Sequence, residues 1–375
     1  MAIYTKITGH TEPIKVSPVL IKNITPPPEP PVDDWVRPVD RPEIPTIGDS
    51  EQVFYQLFGV NENSPNDIAF TLTVPSGSYR VEWGDGTSND YNTAVKAEHI
   101  YDYSQLSGTS GSEGYKWVWI KAYPLSGNLT VIDIAVPRHS LRPTISAAQV
   151  VPQVFEIYLR AENLASMPFL NTTAQNRHRH LNVFDFRGTN NIQSFSLFLR
   201  DSVNLRRLTL NTAAGTNFSS FMYGCAAFNQ PLNIDTAAGT NFSYFMYNCY
   251  SFNQPLNIDT AAGTNFSSFM YNCYSFNQPM SVDLIAATTA IGANFFGASS
   301  YSLKSLRLLN MGSIHTALTL TNAPLDVDAL VNLFNDLCDR TGLAAGVITI
   351  TNCYGKARLT PDQLAIATQK NWTVA

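Results

Sequence analysis

The residues of this 375-residue chain that could do chemistry fall into a few small groups. Asp85 and His99 pair an acid with a base, the minimum for moving a proton, but no nucleophile motif accompanies them. Their structural reading is that Asp85 shapes a turn while His99 packs or hydrogen-bonds nearby. His178-Arg179-His180 offers two imidazoles at alternate positions without a third ligand, which reads as a solvated loop rather than a metal centre. Cys225, Cys249 and Cys273 recur at one repeat position, with Cys338 and Cys353 near the end; no Cys-x-x-Cys spacing occurs, so buried free thiols are expected. There is no Gly-x-Ser-x-Gly, no phosphate-binding loop and no His-Glu-x-x-His, and Gly84-Asp85-Gly86 is a hairpin turn. The chain is therefore expected to be non-enzymatic, with no catalytic residue, cofactor or metal.

A different chemistry, recognition by a repeated surface, is written in residues 212–283. Residues 212–235 read TAAGTNFSSFMYGCAAFNQPLNID, 236–259 read TAAGTNFSYFMYNCYSFNQPLNID and 260–283 read TAAGTNFSSFMYNCYSFNQPMSVD, neighbouring copies agreeing at 20 of 24 positions. On a strand such as Pro231–Asp235, Leu232 and Ile234 face inward, leaving Pro231, Asn233 and Asp235 outward. Stacked copies then align Asp235, Asp259 and Asp283 about 4.8 Å apart, accompanied by Asn233, Asn257 and Ser281. A column of like charges is unfavourable unless compensated. Two readings stand: a glycan- or cation-binding strip, or aspartates that each bond the amides of their own turn. Tyr223, Tyr247 and Tyr271, with Tyr250 and Tyr274, add aromatic columns that either stack on sugar rings or cover the core. Asn217, Asn241 and Asn265 match a glycosylation sequon, but are expected to cap short helices whose inner side carries Phe, Met and Cys.

The elements that must position these residues differ along the chain. Charged residues make up 14% and hydrophobic ones 44%, with 17 Tyr and 21 Phe, which excludes a disordered acidic chain and a coiled coil. A net charge of -5 without a dense Lys/Arg stripe argues against nucleic acid, and no apolar run reaches the roughly 18 residues of a membrane span. MAIYTKITGH lacks the basic and apolar regions of a signal peptide. Residues 13–45 hold ten prolines, which rules out a helix and predicts an extended arm. Ile14, Val16, Val19, Leu20, Ile21 and Trp35 punctuate that arm and are expected to bury against another subunit or protein. A chain beginning near Asp49 is accordingly expected to fold normally without it.

From about Glu51 to Ala135, alternating runs at Phe70–Val74, Tyr79–Trp83, Tyr115–Ile120 and Leu129–Ile134 predict strands of an antiparallel sandwich. The order Val81-Glu-Trp-Gly-Asp-Gly-Thr87, then His99-x-Tyr101, then Gly114-Tyr-x-Trp-Val118 resembles PKD-like immunoglobulin-type domains, apart from a Ser/Gly-rich insertion at Ser104–Gly114. That resemblance implies a structural role for Asp85 and His99. The 24-residue period with its Leu-x-Ile step predicts a solenoid of one short strand and one return segment per coil. Its spacing extends back through Leu208/Leu210 and Phe184/Phe186 and forward, with a slip, through Leu306/Leu308. The repeat looks like the leucine-rich repeats of BspA-type bacterial surface proteins, which also occur in phage tail proteins. Residues 330–374 resemble the terminal cap of such solenoids in phage structural proteins.

The fold class expected is mainly β with short helices. Its parts are an extended Pro-rich arm (1–48), a PKD/Ig-like sandwich (49–136), a leucine-rich-repeat solenoid (137–323) and a capping segment (324–375). The function expected is a bacteriophage virion structural or adhesion protein, a fibre, decoration or adhesin subunit. A bacterial cell-surface adhesin is the alternative, and an enzyme with an accessory Ig-like module stands third. Other virion proteins would bind residues 1–48, and the solenoid would meet a host surface glycan or protein. Homo-oligomerisation, for example as a trimer, is expected, with neither nucleic-acid binding nor membrane insertion.

Overall fold

A computed structural model describes residues 35–63, 66–134, 153–167, 178–291, 295–296 and 302–375. The architecture below is that of the unit from Pro31 onward.

The first seven strands are β1 (Val53–Val60), β2 (Asp67–Thr73), β3 (Ser78–Glu82), β4 (Ser88–Asn92), β5 (Lys96–Ile100), β6 (Lys116–Pro124) and β7 (Val131–Asp133). β5, β2 and β7 form one antiparallel sheet, in that order, which shares a core with β1, β6, β3 and β4. Phe54 on β1 meets Phe70 on β2 at 5.6 Å, and Phe70 meets Trp83 just past β3 at 6.0 Å. The tight turn after β3 places Gly84 and Gly86 at φ of 80° and 92°, the left-handed backbone that glycine takes without a steric penalty. β1 is buried along its whole length, so its sequence VFYQLFGV lacks the alternation of a one-sided strand.

One face of β1 lies on the sandwich core, Trp35 and Ile47 cover the other, and its free edge is taken by a strand beyond residue 136. The next strands are β8 (Val154–Leu164), β9 (Val183–Asn190) and β10 (Arg207–Thr209). β8 pairs antiparallel with β1 and parallel with β9, giving one seven-stranded sheet of order β10-β9-β8-β1-β6-β3-β4. The antiparallel strands and the first parallel coils thus share a single ladder.

Beyond β10 the chain is a β-solenoid of stacked coils. β11 (Met280–Asp283) pairs in parallel with β12 (Leu306–Leu309), Met280 opposite Leu306 and Val282 opposite Leu308, the slipped register expected from sequence. Leu232, Leu256 and Val282 are buried, and Ile234 and Ile258 are partly buried against the same core. Identical phenylalanines stack from coil to coil: Phe218, Phe242 and Phe266 lie 5.7 and 5.5 Å apart within 6° of parallel. Phe221, Phe245 and Phe269 repeat this at 5.7 and 5.4 Å.

The return segments are not the helices expected. Ser220 and Gly224, Tyr244 and Asn248, and Ser268 and Asn272 adopt φ between 54° and 77°, and a left-handed residue every fourth position breaks any helix. The backbone instead alternates tight turns with bonds to the next coil, such as Phe218 N to Asn241 O at 2.8 Å and Met222 N to Phe245 O at 2.9 Å. Asn217, Asn241 and Asn265 still accept the amide two residues on, at 3.0–3.1 Å, as Asx turns.

The stack closes with β13 (Ala317–Thr319), α1 (Val327–Asp336), β14 (Gly346–Thr349), α2 (Pro361–Thr368) and β15 (Trp372–Val374). The three strands form a parallel sheet. Lys370 Nζ donates to the carbonyls of Phe334, Asn335 and Leu337 at 3.2, 2.7 and 2.8 Å, satisfying the end of α1.

Candidate binding surfaces

Each coil offers two legs, and the predicted site lies on the strand leg. Asn233, Asn257 and Ser281 are exposed, as are Asp235 and Asp259, while Asp283 is half-buried. The aspartates are used locally: Asp235, Asp259 and Asp283 Oδ1 accept from Ala237, Ala261 and Ile285 N at 3.0, 2.9 and 3.0 Å. Asn211 accepts from Ala213 N at 3.1 Å in the preceding coil, so the turn requires an oxygen and not a charge. Asn310 Nδ2 closes the column on both Asp283 oxygens, at 3.0 and 3.1 Å. Thr212 and Thr236 hydroxyls donate to Asp235 O and Asp259 O at 2.7 and 2.8 Å, joining coils where no backbone ladder runs.

The return leg carries the tyrosines. Tyr223, Tyr247 and Tyr271 stack at 4.6 and 4.7 Å, within 5° of parallel, and Tyr250 stacks on Tyr274 at 5.5 Å. The Arg200 guanidinium covers the open face of Tyr223 at 4.8 Å. Stacking covers both faces of Tyr247 and one face each of Tyr250 and Tyr274. Tyr244 is a residue that sequence reasoning passed over; it is 42% exposed and replaces the serine of the flanking copies, Ser220 and Ser268. That single deviation at an otherwise serine position was the available signal.

The remaining candidates are internal. Cys225, Cys249 and Cys273 are buried and reduced, each Sγ donating to a carbonyl of the previous coil, Leu199, Met222 and Met246, at 3.2, 3.1 and 3.1 Å. Burial pushes the Cys273 thiol up to about 12. His99 Nε2 lies 2.7 Å from Asp85 Oδ2, and its ring stacks on Trp83 at 4.8 Å. Burial opposes ionisation of Asp85, yet bonds from Thr87 and His99 outweigh it and hold the carboxyl below the usual range. The expectation of a solvated loop at His178–His180 is corrected. His178 is buried, and half-buried His180 packs its ring on Phe155 at 5.0 Å, because the segment leads directly into the sheet.

Of the arm, Ile14, Val16, Val19, Leu20 and Ile21 lie outside the described residues. Trp35, expected against another subunit, packs with Ile47 on Val53, Tyr55, Tyr158 and Val183 of its own sheet. Around it Arg37 and Arg41 converge on Glu156 of β8, whose side chain is fully buried. Arg37 Nε donates to its oxygens at 2.8 and 2.9 Å and Arg41 Nη1 at 2.8 Å. Arg41 also bonds Glu113 at 2.8 and 2.9 Å and Asn182 at 2.8 Å, lying 5.1 Å from the rings of Trp117 and Phe155. Trp119 Nε1 donates to Glu43 O at 2.9 Å. Residues 35–47 therefore strap the outer face of the shared sheet, and the Ser104–Gly114 insertion supplies Glu113 to hold them. A chain beginning at Asp49 loses all of these bonds.

Fold and surface together define a repeat protein, a β-solenoid of stacked coils joined to an antiparallel sandwich. Residues 189–306, less than half of the chain, match the family model described as "Mycoplasma protein of unknown function, DUF285". No curated protein matches, and no solved structure matches.

Proposed function

We propose that this chain is a non-enzymatic structural and adhesion protein of a bacteriophage particle, attached through its N-terminal arm and presenting its solenoid to a host surface. The observation that carries the reading is the seamless joint: β1 and β8 share a ladder across residue 136, and residues 35–47 strap that joint through Arg37, Arg41 and Glu156. A module held this way keeps the orientation set at its attachment point, which suits display of a binding face. The Trp83–Thr87 turn with Asp85, His99 and the Tyr101 hydroxyl on Trp83 O at 2.7 Å supports a PKD-like assignment for the sandwich. Similarity of the repeats to BspA-type leucine-rich repeats supports surface display, and the likeness of the cap to phage structural proteins favours the particle over a bacterial cell surface. Because Trp35 turns inward, the segment before it is the part assigned to contact other virion proteins. Homo-oligomerisation through that segment belongs to the same proposal.

Electron microscopy of purified particles labelled with antibody raised against residues 189–306 tests the reading. Labels at a regular position on the particle surface are expected. Unlabelled particles, with label on the envelope of the host bacterium instead, would move the protein to the cell-surface setting.

A further inference from the structure

We infer that the return-leg face of the solenoid binds an extended neutral polysaccharide, with Tyr244 as the ring on which one sugar stacks. The inference rests on the adhesion reading and gives it a ligand class.

Ring availability is the first observation. Tyr247 is covered on both faces by Tyr223 and Tyr271, and Tyr250 and Tyr274, 41% and 39% exposed, cover one face of each other. Tyr244 has Ser220 and Ser268 as its counterparts in the adjoining coils, and its described ring contact is a tilted one with Tyr247, 5.7 Å away at 51°. An aromatic face left open among polar neighbours is what the C–H side of a pyranose packs against, leaving its hydroxyls free to bond.

Backbone conformation is the second. Tyr244 has φ of +56°, a region that bulky side chains rarely adopt. The fold imposes that φ on Ser220 and Ser268 too, at 55° and 54°, but only this coil places an aromatic ring there.

Charge is the third. Residues 208–303 contain no Lys, Arg, His or Glu, and their three acids, Asp235, Asp259 and Asp283, all belong to the strand leg. Within these coils the return leg offers an anionic polymer no counterion and a cationic one no acid, and on the coil before them Arg200 and Asp201 pair with each other at 3.4 Å, which leaves a neutral ligand. What the leg does repeat is hydroxyl and amide chemistry, with tyrosines 4.6–4.7 Å apart and Asn272 Nδ2 donating to Asn248 Oδ1 at 2.9 Å. Burial first, and neighbouring tyrosines second, raise the Tyr247 phenol, so it remains a hydrogen-bond donor well above neutral pH. A repeating ladder of donors along the stacking axis suits a polymer of repeating hydroxyls laid along that axis.

Affinity electrophoresis of the full chain tests this, in native gels containing a soluble β-glucan, α-glucan, mannan or galactan, with anionic alginate as the charged comparison. Retardation by at least one neutral polymer is expected, unchanged from low to high salt. Tyr244→Ser should weaken it about tenfold or more, since a lost aromatic stack is worth on that order. Tyr250→Ala with Tyr274→Ala should weaken it further. These variants copy residues the chain already carries at the same positions, Ser220, Ser268 and Ala226, so their melting temperatures should match the parent. The inference is overturned by no retardation in all four neutral polymers, by salt-sensitive retardation in alginate alone, or by a Tyr244→Ser variant that binds like the parent. Particle labelling is independent of these gels, so a failed sugar site and a failed attachment reading are told apart.

Discussion

Arg41→Met is the substitution that probes the strap most sharply. The Arg41 and Glu156 side chains are 1% and 0% accessible, and Arg41 Nη1 lies 2.8 Å from Glu156 Oε1. Removing one member of a buried ion pair typically destabilises by about 3–5 kcal/mol, because the partner's charge stays out of water. Arg37 still holds Glu156, at 2.8 and 2.9 Å, and Tyr158 Oη donates to it at 3.1 Å, which places the loss near the lower end, about 3 kcal/mol. Methionine keeps an apolar stem against Trp117 and Phe155, so the loss reports the guanidinium rather than a cavity. Glu156→Gln should itself destabilise, and by less in the Arg41→Met background than in the parent, because one of the carboxylate's two guanidinium partners is already gone. Urea unfolding followed by tryptophan fluorescence gives both numbers, Trp117 and Trp119 being at the site. A loss under about 1 kcal/mol, or an equal effect of the Glu156→Gln change with and without Arg41, would refute the buried pairing.

Three further outcomes follow from the coils and cap. Cys225, Cys249 and Cys273 should react with a thiol reagent only after unfolding, their thiolates being disfavoured by burial; rapid native modification of all three would overturn the coil register. Replacing Asp235, Asp259 and Asp283 together by Asn should leave the melting temperature unchanged, as Asn211 already serves that turn, whereas the triple Ala variant should lose about 1 kcal/mol per site; equal melting of the two variants would contradict the Asx-turn role. His315 is buried neutral, accepts from Ile291 N at 3.1 Å, and has its pKa lowered by burial from 6.5 to about 4. Its contribution is complete above pH 6.5 and is lost as pH falls towards 4, by about 3 kcal/mol, so His315→Gln should flatten that limb of a stability–pH curve. A variant curve parallel to the parent's would contradict it.

Much of this fold is legible in the sequence where one residue's role repeats. Leu232, Leu256 and Met280 recur at fixed spacing, and the structure buries all three. The four sandwich strands expected from alternation are present as β2, β3, β6 and β7. β1 was missed because VFYQLFGV is covered on both faces and so does not alternate; nothing local announces a strap over its outer side. The return leg was read as helix from Asn caps and an apolar face, yet those caps also suit Asx turns, and left-handed residues at Ser220 and Gly224 decide between them. Arg37-Pro38 and Arg41-Pro42 were hidden inside a proline-rich stretch read for its apolar residues, and their partner Glu156 lies 119 and 115 positions on. The Asp column was visible as a column, while its turn bonds, and the open ring of Tyr244, needed coordinates.

We propose that the arm before the strap attaches the protein while the body from Trp35 onward folds and displays the coils. Incorporation into particles of a chain beginning at residue 35, beside the full chain and one beginning at residue 49, measures it directly. The chain from residue 35 should melt like the parent and be absent from purified particles, while the chain from residue 49 should be destabilised by the loss of Arg37 and Arg41. Incorporation of the chain from residue 35 at the occupancy of the full chain would contradict the account.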